Sequence, residues 1–158
     1  MMTTPINRSP EPGARLTVIY VDDSPQTRKQ IDRYVRDKLA ASGVPHVIHF
    51  AESGLGGRQL IAGLKTIDFA VIDFNLGDDA INGTKLCREI LEDKSPKATV
   101  LLFSAADPKE IEAEELPKEV KVVLEKDHKK VKEALDECIG DFKRALLVRK
   151  NSSEGDKG

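Results

Sequence analysis

The sequence predicts an α/β fold: a doubly wound parallel sheet of five strands with helices on both faces. Three observations carry this. Five apolar runs of strand length recur along the 158 residues, segments with helix signals separate them, and no stretch repeats another. Strands alternating with helices need crossover connections, which make the sheet parallel.

The first strand is LTVIYV, Leu16 to Val21, a nearly continuous β-branched run of the kind buried on both faces of a parallel sheet. Asp22 and Asp23 follow it, and Ser24 and Pro25 read as the N-cap and first residue of a helix. That helix, residues 25 to about 41, carries Ile31, Tyr34, Val35 and Leu39 at helical spacing, with Arg28, Lys29, Arg33, Arg36 and Lys38 among them. Ser42, Gly43 and Pro45 end it. VIHFA from Val47 is the second strand, followed by a small-residue helix around Ser53 to Lys65.

IDFAVID, Ile67 to Asp73, is a third strand of the buried type. A glycine-bearing loop leads to a helix from about Gly83 to Glu92, and ATVLLFSA gives the fourth strand from Ala98. DPKEIEAEELPKE, bracketed by Pro108 and Pro117, makes a short acidic helix at most, because it has little apolar surface to bury. KVVLE from Lys121 is the fifth strand. Val131, Leu135, Cys138, Phe142 and Leu146 then mark a long final helix. The expected architecture is flavodoxin-like, (βα)5, with strand order 2-1-3-4-5.

The length suits one domain, expected over residues 15–148, with a flexible arm at 1–14 and a flexible tail at 149–158. A net charge of -2 gives no basic field, so nucleic acid is not an expected partner. The N-terminus lacks the apolar core of an export signal, and no run reaches membrane-spanning length, so a cytoplasmic protein is expected. Cys87 and Cys138 lie in helical patterns without paired or metal-type spacing and read as buried thiols in a reducing compartment.

An isolated Asp-Asp pair before a helix reads first as two solvated acids favoured by the helix dipole. The other strand ends change its meaning. Strand three ends at Asp73, strand four at Ser104, and strand five at Lys126, and in this topology those ends converge on one edge with Asp22 and Asp23. Three neighbouring carboxylates stay ionised cheaply only if a divalent cation neutralises them, and a few hard oxygen ligands suit Mg²⁺. Lys126 and Ser104 offer a point charge and a hydroxyl to phosphoryl oxygens.

These residues resemble the receiver domains of two-component response regulators, over about residues 16 to 147. The acidic pair after strand one is matched by Asp22 and Asp23, the phosphoacceptor by Asp73 in VIDFNL, the hydroxyl and small residue by Ser104 and Ala105, and the lysine by Lys126. The 22-residue spacing from Ser104 to Lys126 is that of the chemotaxis-type members. The resemblance implies a stand-alone receiver in which Asp73 takes a phosphoryl group from a sensor histidine kinase or phosphotransfer protein. Asp23, Asp73 and the backbone carbonyl of Asn75 would ligate Mg²⁺, with Asp22 holding a metal-bound water. Ser104 and Lys126 would grip the phosphoryl group, and the message would pass to an unknown downstream protein by contact. It also implies kinase docking near the basic first helix.

Three positions depart from the family pattern. Asp127 replaces the proline after the lysine and is expected to cap the last helix. Gly77 replaces a loop proline, with Asp78 and Asp79 read as solvated loop acids before Gly83. Val123 stands at the switch-aromatic position, so readout by aromatic rotation is not available there. Two other functions fit part of the pattern. A non-phosphorylated pseudo-receiver scaffold would explain the departures. An Asp-nucleophile phosphohydrolase would want a second Asp where Asn75 stands. His46, His49 and His128 lack ligand spacing, and Gly54, Gly56 and Gly57 match no phosphate-loop fingerprint and read as packing or helix-start residues.

Overall fold

The computed structural model describes residues 14–77, 81–105, 107–112 and 114–156, with 149–156 described by their backbone alone. Five strands, β1 (Leu16–Val21), β2 (His46–Ala51), β3 (Phe69–Asp73), β4 (Thr99–Phe103) and β5 (Lys121–Val123), form one parallel sheet in the order β2-β1-β3-β4-β5. This is the flavodoxin-like order expected from the sequence.

The five helices alternate with the strands. α1 (Pro25–Ser42) starts as its sequence dictates, with Ser24 Oγ accepting from the Thr27 N–H (3.2 Å) and Pro25 at the first turn. It stops at Gly43, whose φ of 73° is left-handed. α2 (Gly54–Gly63) is capped by Ser53, and α3 (Gly83–Arg88) by Asn82. α3 continues as a π-helical stretch, Glu89–Lys94. α4 (Pro108–Glu112) is the short acidic helix, and α5 (His128–Asp156) closes the chain.

Side-chain alternation on the strands divides the core in two. Leu16, Val18 and Tyr20 of β1 pack with Ile31, Val35 and Leu39 of α1 and Val131, Leu135 and Cys138 of α5. Ile19 and Val21 pack on the opposite face with Ile61 of α2, Leu86 of α3 and Ile111 of α4. Ile111 is the one described α4 residue in the core, which accounts for the shortness of that helix. Gly54 and Gly57 are packing residues, lying against Ile81 and against Leu86 and Val21 where a Cβ would collide.

Some boundaries differ from expectation. β3 begins at Phe69, because the Ile67 N–H bonds to Ser95 Oγ (2.8 Å) rather than to a strand. β5 is cut to three residues by a tight turn, Leu124–Lys126. Helical backbone in α5 runs past Val148 into the segment expected as a tail, since neither glycine nor proline interrupts residues 141–154. Residues 1–13 of the arm expected at 1–14, and the loop acids Asp78 and Asp79, lie outside the described residues. Both cysteines are free and buried, as the helical pattern implied. Among the described residues, no helix is long and apolar enough to cross a membrane.

Candidate functional site

The strand ends meet at one edge of the sheet. Ladder pairing puts Val21 beside Ile72 and Asp73 beside Phe103, and Phe103 beside Val123, so each residue that follows lands next to its neighbour. The pairing persists past the strands: Ser104 N–H donates to the Val123 carbonyl (3.0 Å), and Lys126 N–H donates to the Ser104 carbonyl (3.1 Å).

Asp22 and Asp73 are buried and Asp23 is exposed, and each offers a carboxylate oxygen within 4.8 Å of the others. Asp22 is the most constrained. One of its oxygens accepts from the Ser24 N–H (2.8 Å), and the other lies 3.2 Å from Lys126 Nζ. The same ammonium stands 3.6 Å from Asp73 Oδ1. Burial pushes the Asp73 carboxyl up to about 7, the Asp22 charge adding to the rise and Lys126 opposing it. An all-oxygen acidic trio with its second Asp open to solvent fits a hard divalent cation such as Mg²⁺.

The start of the loop after Asp73 is ordered by its own polar groups. Asn75 Oδ1 accepts from the Gly77 N–H (3.1 Å), an Asx turn, and the Asn75 N–H donates to Asp73 Oδ1 (3.3 Å). Gly77 has φ 72°, which proline cannot adopt, so the family's proline is incompatible with this loop path. Gly83 lets α3 press against the acceptor, since a Cβ there would lie 2.1 Å from the Asp73 carbonyl oxygen.

Lys126 is aimed without a following proline. Glu125 and Lys126 both hold left-handed φ, 56° and 46°, a conformation costing about 1–3 kcal/mol per non-glycine residue. Asp127 caps α5 as expected, its Oδ1 accepting from the Lys129 N–H (3.0 Å). The ammonium then lies 5.6 Å over the Phe103 ring. His128 packs edge-on to Phe103 and meets Tyr34 of α1 through Nδ1 at 2.9 Å, so the turn is wedged between β4 and α1. Burial, then Lys132 and Lys126, push the His128 imidazole below its ordinary value.

Asp73, Asn75, Ser104, Ala105, Glu110 and Lys126 line a cavity of ≈ 330 Å³. Ser104, fully buried, belongs to that lining. The sequence-predicted residues Asp22, Asp23, Asp73, Asn75, Ser104 and Lys126 are thus all gathered at this edge. Sequence reasoning missed Glu110, whose charge was lost among the other acids of its segment. It also missed the packing of Phe103 and His128 around Lys126, which no local spacing signals. The three histidines are half-buried.

Sheet order and acidic edge together are those of a receiver domain of two-component signalling. The chain belongs to the response regulator receiver domain family, whose model matches residues 18–136. Among solved structures it is similar to the signal receiver domain of an HD domain-containing protein from Pseudomonas fluorescens Pf-5, with TM-score 0.63, 20% identity, and coverage of 82% of this chain and 98% of that one. A response regulator receiver protein from Sinorhizobium medicae WSM419 gives TM-score 0.65 at 15% identity, covering 80% and 95%. The P1 domain of CheA3 in complex with CheY6 from R. sphaeroides gives TM-score 0.51 at 18% identity, covering 69% and 81%. No curated protein sequence matches the chain at the same significance.

Proposed function

We propose that Asp73 is a phosphoacceptor that takes a phosphoryl group from a phosphohistidine of a sensor kinase or phosphotransfer protein, and that the phosphorylated chain signals by protein–protein contact. The observation that carries this is the placement of Lys126 Nζ 3.6 Å from Asp73 Oδ1, beside the Asp22 and Asp23 carboxylates and the Ser104-lined cavity. A Asp73 oxygen forms the new P–O bond as the P–N bond of the phosphohistidine breaks, and the imidazole leaves with the electron pair.

Asp23, Asp73 and Asn75 would hold Mg²⁺, with Asp22 behind them. When bound, the ion supplies neutralisation of the carboxylates and of the phosphoryl oxygens. Lys126, released from Asp73 as that carboxylate becomes an acyl phosphate, offers its charge to the transferred group, and Ser104 its hydroxyl. The similarity to a receiver solved with a kinase P1 domain supports a phosphotransfer partner of that kind.

Intact-mass measurement with a small phosphodonor and Mg²⁺ tests the reading. One phosphoryl mass is expected on the wild type and none on Asp73→Asn. A gain that survives in Asp73→Asn, or is absent from the wild type, would overturn it, the second outcome favouring a scaffold.

A further inference from the structure

The cavity at Asp73 has an acidic wall to which no role has been given. Glu110, in α4, lines the same space as Asp73, Ser104 and Lys126. It is exposed, and among the described residues no cation is paired with its carboxylate. Its place is nonetheless held. The Glu110 N–H donates to the Asp107 carbonyl (2.9 Å), Ile111 next to it is buried, and Arg88 Nη1 donates to the Glu115 carbonyl (2.7 Å) just beyond.

The cation of the cavity lining, Lys126, is already engaged with Asp22 and Asp73. With a divalent cation bound, the formal charges of Asp22, Asp23, Asp73 and Lys126 cancel, and Glu110 leaves the cavity lining with a net negative charge. A free acyl phosphate dianion meets that repulsion with no other contact to offset it, whereas a docked protein donor brings an interface. We propose that Glu110 is a donor-selectivity residue, disfavouring free anionic phosphodonors relative to a docked phosphohistidine protein. This rests on Asp73 being the acceptor. In transfer from an acyl phosphate, the P–O bond to the acyl oxygen breaks with its electron pair leaving on the carboxylate product, and the new P–O bond forms to Asp73. Glu110 makes and breaks no bond in this step; its effect falls on donor entry.

The test measures phosphorylation of the full chain with Mg²⁺ against acetyl phosphate concentration, at low ionic strength and at about 1 M salt, where screening acts within about 3 Å. Glu110→Gln is expected to lower the apparent KM about two- to fivefold at low salt with an unchanged maximal rate, and to converge on the wild type at high salt. Phosphoramidate, which carries less negative charge, should shift less. Glu112→Gln, exposed on the same helix and outside the cavity lining, should not shift. Equal KM values for wild type and Glu110→Gln, a change that persists at high salt, or the same change in Glu112→Gln would each overturn the selectivity role alone. Failure of the wild type to accept phosphoryl from either donor would overturn the acceptor reading and this role with it.

Discussion

Arg28 Nη1 donates to the backbone carbonyl oxygen of Asp22 at 2.8 Å, so a residue of the basic first helix is part of the scaffold of the acidic site. Its side chain is 12% exposed, pairs with Glu52 at 2.9 Å and lies 5.5 Å over the Phe50 ring. Lys38 reaches Asp136 of α5 and Arg36 reaches Asp32, leaving Lys29 and Arg33 as exposed positions on that helix.

The kinase-docking prediction therefore uses Lys29→Ala with Arg33→Ala and spares Arg28. Rim charges steer encounter, so phosphotransfer from a kinase should slow about two- to tenfold and lose part of its salt dependence. Phosphorylation by a small donor should stay unchanged. Stopped phosphotransfer assays at two salt concentrations check this; equal slowing with both donors would place the effect in folding or in the pocket.

Metal affinity should separate ligand from phosphoryl contact. Asp23→Ala removes a solvent-facing carboxylate of the acidic trio and should weaken Mg²⁺ binding about tenfold or more, while Ser104→Ala should leave it nearly unchanged. Calorimetric titration of the two variants, with equal affinities as the contrary outcome, decides it.

The raised Asp73 carboxyl predicts how stability depends on pH in the metal-free protein. Because its folded value lies above the unfolded one, ionisation of Asp73 weakens the fold progressively as pH rises from about 4 to about 7. Asp73→Asn, which cannot ionise, should be more stable than the wild type above pH 7 by on the order of 1–2 kcal/mol, and no more stable below pH 4. Urea melts across this range measure the difference, and added Mg²⁺ should shrink it.

Gly83→Ala should be poorly tolerated. Its Cβ would sit 2.1 Å from the Asp73 carbonyl oxygen, so α3 must back away from β3. A loss of about 2–4 kcal/mol in denaturant unfolding is expected, with slower phosphorylation of whatever remains folded.

Most of the site was legible because its residues follow strands, and a strand's end can be read from where an apolar run stops. Asp22, Asp73 and Ser104 each sit one step from such a stop, and parallel topology does the rest. Lys126 was legible as a residue type but not in its aim, which depends on two left-handed residues and on Phe103 and His128 packed beneath. Glu110 was illegible because one acid among many has no periodicity, and only the fold shows which of them lines the cavity. Arg28 was legible as a basic residue but not in its bond to the Asp22 carbonyl, since sequence cannot tell a solvated arginine from one bonded to a backbone carbonyl.

The pairing of Lys126 with Asp22 joins positions 104 residues apart. During synthesis the acidic pair is made before β2 to β5, and its ammonium counter-charge only after all five strands. A nascent chain or fragment ending before Lys121 would carry all three carboxylates and lack the strand that brings the lysine to them. Long-range closure of this kind is slow and all-or-none. Until that closure is made, Asp22 and Asp73 stand among like charges without the lysine that faces them both.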